Sequence, residues 1–249
     1  MVRYKKGWFG RTLDVTAKTL LKFRLVRAPA RWLANSRIAW SVVSRIDRVR
    51  GLRARSRLQS CDPSSLPRHI SIIMDGNRRF AWANSMDLNQ GHSAGKEKLK
   101  RVMRWVLDLK IPYLTVYALS NENMKKRSEE EMSALYELYV QGLKEISIDP
   151  LIHENRVRVN VVGRREFLPE KVKKAILKAE DSTKDYSDFI FTICLAYGGR
   201  EEIVDAVKSL AEDYAEGSIE ASSINTDMIS SRLYTSELPD PDLVIRTSG

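Results

Sequence analysis

Residues 69–80 have the sequence HISIIMDGNRRF, in which a short apolar run is followed by an acid, a glycine and two arginines. The apolar run predicts a strand over Ile70–Met74. Asp75 supplies the oxygen ligands that Mg²⁺ prefers, and Gly76 lets the chain turn sharply. Arg78 and Arg79 at a helix start can hold phosphate oxygens. The stretch therefore predicts a site for a metal-bound diphosphate. The alternative interpretation is a capped strand-to-helix turn with two solvated arginines.

Apolar, β-branched runs alternate with amphipathic patterns along the rest of the chain. The runs predict strands over Leu114–Ala118, Val157–Val162, Phe189–Ala196 and Leu243–Ile245. The patterns between them predict helices over roughly Ala94–Leu109, Glu129–Ile146, Pro169–Thr183 and Glu201–Tyr214. This alternation is typical of an α/β fold, so we predict a single domain with a mostly parallel central sheet flanked by helices.

Polar or glycine residues follow each predicted strand. In open parallel sheets, ligands bind beyond the carboxyl ends of the strands, which share one rim. The first strand is followed by Asp75, Asn77, Arg78 and Arg79. The other four strands are followed, in chain order, by Ser120, Asn121, Glu122 and Asn123; by Gly163, Arg164 and Arg165; by Tyr197, Gly198, Gly199 and Arg200; and by Arg246, Thr247 and Ser248. Five such strand ends on one rim indicate a binding site for a phosphate-bearing ligand.

The positive charge of the chain is concentrated near its N-terminus. The whole sequence has a formal net charge of +10. Residues 1–60 carry 16 Lys and Arg against Asp14 and Asp47, and the remaining residues have a net charge of −4. Cys61 and Cys194 are too few and too far apart to indicate a disulfide framework or a zinc site. Cys194 lies in a predicted buried strand, so we expect it in the core.

Residues 1–62 form a predicted basic N-terminal extension. An apolar stripe at helical spacing and interspersed arginines predict one or two amphipathic helices on an anionic membrane surface. The stripe consists of Ala39, Val42, Val43, Ile46 and Val49. Pro29 interrupts any continuous helix and no apolar run is long enough to span a bilayer, so we expect a cytoplasmic protein that is peripheral on the membrane. The alternatives are a disordered extension, helices packed against the domain, or a nucleic-acid arm. The wide apolar stripe disfavours the last, and we expect no nucleic-acid partner.

Five sequence blocks, taken together, resemble the cis-prenyltransferases, the family of undecaprenyl and dehydrodolichyl diphosphate synthases. The blocks are MDGNRR at 74–79, GHSAG at 91–95, YALSNEN at 117–123, AYGGR at 196–200 and DLVIRTSG at 242–249. The resemblance covers about Pro67 to Gly249, and it identifies residues 63–249 as the catalytic domain. No glycine-rich Walker loop or Asp-Asp-x-x-Asp motif is present in the sequence, so the trans-prenyltransferase class does not fit.

The resemblance implies a transferase that condenses isopentenyl diphosphate onto an allylic diphosphate, either farnesyl or geranylgeranyl diphosphate. Each new double bond would be cis, and the product would be a long-chain polyprenyl diphosphate for a glycosyl-carrier lipid. It also implies Mg²⁺ as cofactor and a homodimer. The alternative is a non-catalytic or inactive truncated partner subunit of a prenyltransferase complex. A basic membrane- or nucleic-acid-binding adaptor would explain the N-terminal extension but not the five phosphate-facing strand ends.

The resemblance also implies roles for individual residues. Asp75 would be the main metal and diphosphate residue, and Asn123 would orient isopentenyl diphosphate for proton loss, because an amide is not a strong general base. The other implied substrate-binding residues are Gly76, Asn77, Arg78 and Arg79 in the allylic cradle; Phe80 near the first isoprene units; His92; Ser120, Asn121, Glu122, Met124, Lys126 and Arg127 in a mobile loop; and Arg246 for isopentenyl diphosphate. The helices predicted over Ala94–Leu109 and Glu129–Ile146 would line a tunnel for the growing chain.

The sequence departs from the family pattern at several places. Leu88 stands where many relatives carry an arginine, Met124 replaces an aromatic residue, and Arg164 stands where an acid is commoner. One extra residue lies in the stretch 125–131. The family pattern continues beyond Gly249 with a glutamate, a second diphosphate arginine and an apolar strand. We therefore expect a C-terminally incomplete domain that binds allylic diphosphate weakly and needs the family-like continuation for condensation.

Overall fold

The computed structural model describes residues 56, 57 and 60–248. The chain divides into two compact units, Met1–Cys61 and Asp62–Gly249, and the second contains all of the strands and helices given below. The predicted N-terminal helices and their membrane contact lie outside the described residues, and the assignment of residues 1–62 to an extension and 63–249 to a catalytic domain stays a prediction. Among the described residues, no helix is both long and apolar enough to cross a bilayer.

Five parallel strands form one central sheet, as the alternating pattern predicted. The strands are β1 (His69–Ile73), β2 (Tyr113–Tyr117), β3 (Val157–Val162), β4 (Phe189–Cys194) and β5 (Leu243–Arg246). Their order across the sheet is β3-β4-β2-β1-β5, and each neighbouring pair is parallel. Ile73 at the end of β1 lies opposite Tyr117 of β2 and Arg246 of β5. This register brings the residues that follow β1, β2 and β5 to the same rim.

Eight α-helices connect and cover the strands in the described part of the chain. They are α1 (Asn77–Ala83), α2 (Leu88–Asp108), α3 (Asn121–Lys126), α4 (Glu129–Ile146), α5 (Pro150–Glu154), α6 (Glu170–Asp181), α7 (Gly199–Ala215) and α8 (Thr226–Ser230). The predicted bounds of α4 agree with the structure, because Ser128 caps its first turn by accepting a hydrogen bond from the Glu131 N–H. The segment predicted as a mobile loop after β2 contains the short helix α3, capped by Ser120.

Helix α2 begins six residues earlier than predicted. Asp87 and Gln90 form a reciprocal capping box that starts the helix at Leu88. Gly91 and Gly95, whose helix propensity is poor, lie inside the helix because a Cβ atom at either position would come within 2.7 Å of an Asn77 atom. Tertiary packing against α1 therefore overrides local propensity here.

The core lies between the sheet and the helices that cover it. Alternate residues of β3, Val157, Val159 and Val161, are almost completely buried. Val172 and Ile176 of α6 are completely buried as well, and α6 packs against β3 and α4. Cys194 at the end of β4 is fully buried, which confirms that it belongs to the core, whereas Cys61 is exposed.

Candidate active site

A tight turn after β1 places Asp75 at the rim of the sheet. Gly76 has φ +93°, a left-handed conformation that favours glycine. A Cβ atom at Gly76 would lie 2.5 Å from the Cβ of Ser248, so the segment that follows β5 packs directly against this turn. The Asp75 N–H donates to the Thr247 hydroxyl at 2.9 Å, and that hydroxyl in turn donates to the Asp75 carbonyl oxygen at 2.6 Å. The turn is thus held by Thr247 and Ser248, the two residues that follow β5.

Two arginines converge on the Asp75 carboxylate. Arg246 donates from Nη2 at 2.7 Å and from Nε at 2.9 Å, and Arg79 donates from Nη2 at 3.2 Å, all to Oδ2. The hydrogen bond from Arg246 is the main reason that the pKa of Asp75 lies below its ordinary value, so this carboxyl is ionised at neutral pH. The Asp75 side chain is 29% exposed, whereas those of Arg79 and Arg246 are 56% and 60% exposed. Both guanidinium groups therefore retain donors that a diphosphate can reach.

A second cluster forms around the buried carboxylate of Glu131, near the start of α4. Its Oε1 lies 3.2 Å from His92 Nε2, 3.5 Å from Arg127 Nε and 4.0 Å from Arg78 Nε. The Glu131 side chain is only 5% exposed. Burial lowers the pKa of His92 below its ordinary value, and the hydrogen bond with Glu131 opposes this shift only in part. Glu131 thus connects three elements through its carboxylate: α1 through Arg78, α2 through His92, and the end of α3 through Arg127.

Glu131 was not among the predicted site residues. Ser128 and Glu131 have the spacing of a capping box, in which the glutamate side chain would return to the Ser128 N–H. In the structure the Ser128 hydroxyl does accept from the Glu131 N–H, at 3.3 Å. The Glu131 carboxylate, however, turns to His92 instead. The sequence signal therefore exists, but it indicates a helix cap rather than a site residue.

One large cavity connects both clusters to the interior of the domain. Its volume is about 700 Å³, within the range of small-molecule sites. Eleven of the predicted site residues line it: Asp75, Gly76, Asn77, Arg78, Arg79, His92, Ser120, Glu122, Asn123, Arg127 and Arg246. Helices α2 and α4 both contribute apolar residues to its wall, in the way expected for a tunnel: Leu99, Met103, Leu135, Leu138, Leu143 and Ile146.

The structure places four predicted site residues outside the cavity wall. Phe80 is exposed on α1, and the neighbouring Trp82, under the Arg78 guanidinium, lines the cavity instead. Lys126 forms an exposed ion pair with Glu122 across one turn of α3. Met124 packs against the hydrophobic core, and the remaining residue, Asn121, is buried. These four residues thus have packing or surface positions in this structure.

The site can hold an amphiphile with an anionic head. The wall of the cavity combines the guanidinium groups of Arg78, Arg79, Arg127 and Arg246 with leucine and methionine side chains of α2 and α4. Asp75 fits a Mg²⁺ ion that arrives with a diphosphate, because Mg²⁺ is usually bound by one or two carboxylates, substrate phosphates and waters. Within residues 56–57 and 60–248, no group of three or more His, Cys, Asp or Glu side chains could form a complete protein cage for a metal. A metal at Asp75 would therefore depend on the substrate for further ligands.

Comparisons with known proteins agree with this geometry. The undecaprenyl diphosphate synthase family model matches residues 73–249. The tritrans,polycis-undecaprenyl-diphosphate synthase (geranylgeranyl-diphosphate specific) of Pyrococcus horikoshii is 43% identical over 198 residues, which are 80% of this chain and 75% of the relative. The protein of the same name from Methanocaldococcus jannaschii is 47% identical over 193 residues, which are 77% of this chain and 69% of the relative.

A solved structure extends the likeness to the fold. Lavandulyl diphosphate synthase from Lavandula x intermedia, in complex with dimethylallyl diphosphate, superposes with a TM-score of 0.69 at 30% identity. The superposition covers 72% of this chain and 77% of that chain. The five sequence blocks, the all-parallel sheet and these relatives lead to the same conclusion: the chain belongs to the undecaprenyl diphosphate synthase family of cis-prenyltransferases and is a transferase.

Proposed function

We propose that the protein condenses isopentenyl diphosphate repeatedly onto an allylic diphosphate, with cis geometry at each new double bond. The names of the archaeal relatives favour geranylgeranyl diphosphate over farnesyl diphosphate as the allylic primer. The product would be a long-chain polyprenyl diphosphate that serves as a glycosyl-carrier lipid of the dolichol type. The observation that carries this proposal is a single cavity whose wall combines the guanidinium groups around Asp75 and Glu131 with apolar side chains of α2 and α4.

The reaction begins with the break of the allylic C–O bond, which leaves negative charge on the departing diphosphate. Arg78 and Arg79, at the first turn of α1, are placed to hold that diphosphate, and their charges stabilise it as the bond breaks. Asp75 would hold Mg²⁺ beside it, and the bound metal would supply further neutralisation of the same charge.

The residues after β2 and β5 are placed to hold the second substrate. Ser120, which caps α3, and Asn123 of α3 line the same cavity as Asp75. Arg246 has a guanidinium group that is 60% exposed and can bind the isopentenyl diphosphate. After the new carbon–carbon bond forms, a proton must be lost. Asn123 orients the substrate for this step, and the diphosphate leaving group accepts the proton.

Incorporation of labelled isopentenyl diphosphate into extractable product tests this proposal. The purified protein is incubated with geranylgeranyl or farnesyl diphosphate, with Mg²⁺ or with a chelator, and the double-bond geometry of the product is determined by NMR. We expect Mg²⁺-dependent cis-polyprenyl diphosphates. No incorporation with any allylic primer, together with acceleration of a second prenyltransferase subunit, would instead identify a non-catalytic partner.

Two further parts of the proposal concern assembly and location. We propose a homodimer, and peripheral membrane contact through residues 1–62, since these residues carry the excess of basic charge. A membrane-bound enzyme would release its apolar product directly into the bilayer. Sedimentation and vesicle binding test these two parts separately from the chemistry.

A further inference from the structure

Trp82, on α1, places a large aromatic ring in the wall of the cavity, and the residue is 62% exposed. Among the residues that the structure describes, it is the one large hydrophobic residue that is both exposed and part of this wall. Leu135 and Leu143, on the α4 side of the same cavity, are buried. Trp82 thus offers the most exposed apolar surface of the wall to a ligand.

The same ring contacts a guanidinium group of the proposed allylic cradle. The Cζ atom of Arg78 lies 5.4 Å from the centroid of the Trp82 ring, which is the distance of a cation–π contact. Arg78 Nε also lies 4.0 Å from Glu131 Oε1. A cation–π contact depends on the positive charge and leaves N–H donors of the guanidinium group for phosphate oxygens. Trp82 is therefore coupled to a residue that can hold a diphosphate.

A second pair of the same kind shows which part of this contact is ordinary. Arg101 and Trp105 on α2 have the same spacing along the chain, and the Arg101 Cζ lies 5.8 Å from the centroid of the Trp105 ring. Trp105 is 45% exposed and lies outside the cavity wall. Residues four positions apart are neighbours on a helix surface, so helix geometry accounts for the contact in both pairs. Trp82 differs in its position, because it lies in the cavity beside the arginines that can hold a diphosphate.

An allylic diphosphate held by Arg78 brings its hydrocarbon chain close to this ring, because a single oxygen atom joins the diphosphate to the first isoprene unit. Hydrocarbon that covers the ring removes apolar surface from water. It also excludes water from the contact between Arg78 and Trp82, and a cation–π contact is stronger when it is desolvated. Inorganic diphosphate has the same charged groups but no hydrocarbon, so it gains neither effect. The ring therefore favours a prenylated ligand over the bare diphosphate.

We propose that Trp82 is a specificity-determining residue of the allylic site, which makes the cradle of Arg78 and Arg79 prefer a prenyl diphosphate over inorganic diphosphate. This inference rests on the proposed chain elongation. In that reaction the allylic C–O bond breaks, a carbon–carbon bond to isopentenyl diphosphate forms and a proton is lost, so inorganic diphosphate remains in the cradle. Loss of the contact between chain and ring then weakens the binding of this diphosphate and favours its release before the next condensation.

Binding of two ligands by matched tryptophan variants tests the inference. The ligands are geranylgeranyl thiolodiphosphate, whose sulfur-linked diphosphate resists ionisation, and inorganic diphosphate, each with Mg²⁺. Trp82→Gln removes the ring, and Trp82→Phe retains an aromatic face. Trp105→Gln is the matched control, because it removes the ring of an equivalent pair outside the cavity wall. Calorimetry measures the dissociation constants and circular dichroism verifies the fold of each variant. Trp82→Ala replaces Trp82→Gln if the latter does not fold.

We expect Trp82→Gln to raise the Kd of the prenyl analogue by about tenfold and to change the Kd of inorganic diphosphate by less than about twofold. Trp82→Phe should retain most of the affinity for the analogue, and Trp105→Gln should match the parent protein with both ligands. Parent-like affinity of Trp82→Gln for the analogue would overturn the inference, and so would an equal loss for both ligands, since Trp82 would then only position Arg78. Failure of the parent protein to bind the prenyl analogue would instead overturn the proposed function on which the inference rests.

Discussion

Arg246, the last residue of β5, donates two hydrogen bonds to one carboxylate oxygen of Asp75, which follows β1, at 2.7 and 2.9 Å. The sequence resemblance assigns these residues to different substrates, Asp75 to the allylic diphosphate and its metal, and Arg246 to isopentenyl diphosphate. The structure joins the two predicted diphosphate sites at a single ion pair. A diphosphate or metal that binds here must compete with this pair, so occupation of one site changes the electrostatics of the other.

The buried carboxylate of Glu131 provides a first test. Glu131→Gln removes the charge shared by His92, Arg127 and Arg78. We expect kcat/KM to fall by about tenfold or more, because a lost charge-assisted hydrogen bond is worth roughly 1.5–3 kcal/mol. The pKa of His92 should also fall further, since Glu131 opposes the effect of burial. Steady-state kinetics and NMR titration of His92 measure the two effects.

The neighbouring Glu130 supplies the control for that variant. Glu130 is exposed and does not line the cavity, so Glu130→Gln should behave like the parent protein. Equal kinetics for Glu131→Gln and Glu130→Gln would show that the Glu131 cluster has no part in substrate positioning.

The two residues Gly76 and Gly217 allow a matched test of the turn after β1. Both have positive φ, +93° and +73°, but a Cβ at Gly76 would meet Ser248 at 2.5 Å, whereas nothing lies within 4 Å of one at Gly217. Gly76→Ala should therefore lower both stability and activity, by more than the roughly 1–2 kcal/mol of left-handed strain. Gly217→Ala should show that strain alone, with activity intact. Thermal unfolding and condensation rates measure both variants, and equal losses would argue against close packing at the turn.

The strands of the sheet can be predicted from the sequence because burial of their side chains produces a local pattern of apolar residues. The β-branched run Val157–Val162 forms β3 with the predicted bounds, since its alternate residues face the core. The start of α2 was missed because Gly91 and Gly95 disfavour a helix locally, and only their contact with Asn77 explains them. The role of Glu131 was missed because the direction of its carboxylate depends on His92, which lies 39 residues earlier. Contacts between residues that are distant in the sequence produce no periodic pattern of apolar residues, so they cannot be predicted from local sequence.

An ion pair between Arg164, which lies just after β3, and Asp205 of α7 predicts how stability depends on pH. Arg164 donates to Asp205 at 2.9 and 2.6 Å, and this lowers the pKa of Asp205 from its ordinary value of 3.8. The contribution is therefore present above about pH 4 and is lost as the pH falls through the folded-state pKa. Asp205→Asn should destabilise the protein by about 1 kcal/mol at neutral pH. It should also lose less stability than the parent on acidification, as unfolding curves at several pH values would show. If the parent protein and Asp205→Asn lost the same free energy of unfolding on acidification, the stabilising role of the ionised Asp205 would be contradicted.

The basic N-terminal segment is tested with vesicles. Residues 1–60 carry 16 Lys and Arg, and each basic residue near an anionic surface contributes about 1 kcal/mol to binding. The protein should bind anionic vesicles, bind less as salt is raised, and bind neutral vesicles poorly. A variant without these residues should lose vesicle binding and keep condensation with short soluble substrates. Tight binding to nucleic acid without vesicle binding would support an adaptor role for the segment.

The most direct test of the central claim is condensation by Asp75→Asn. The variant keeps the size of the side chain but removes the charge that Arg246, Arg79 and a metal would share. We expect incorporation of labelled isopentenyl diphosphate to fall by about 10²-fold or more, with a normal fold. Asp185→Asn, an exposed aspartate outside the cavity wall, should retain parent activity. Polyprenyl synthesis by Asp75→Asn at a rate close to that of Asp185→Asn would contradict the assignment of this carboxylate as the centre of the site.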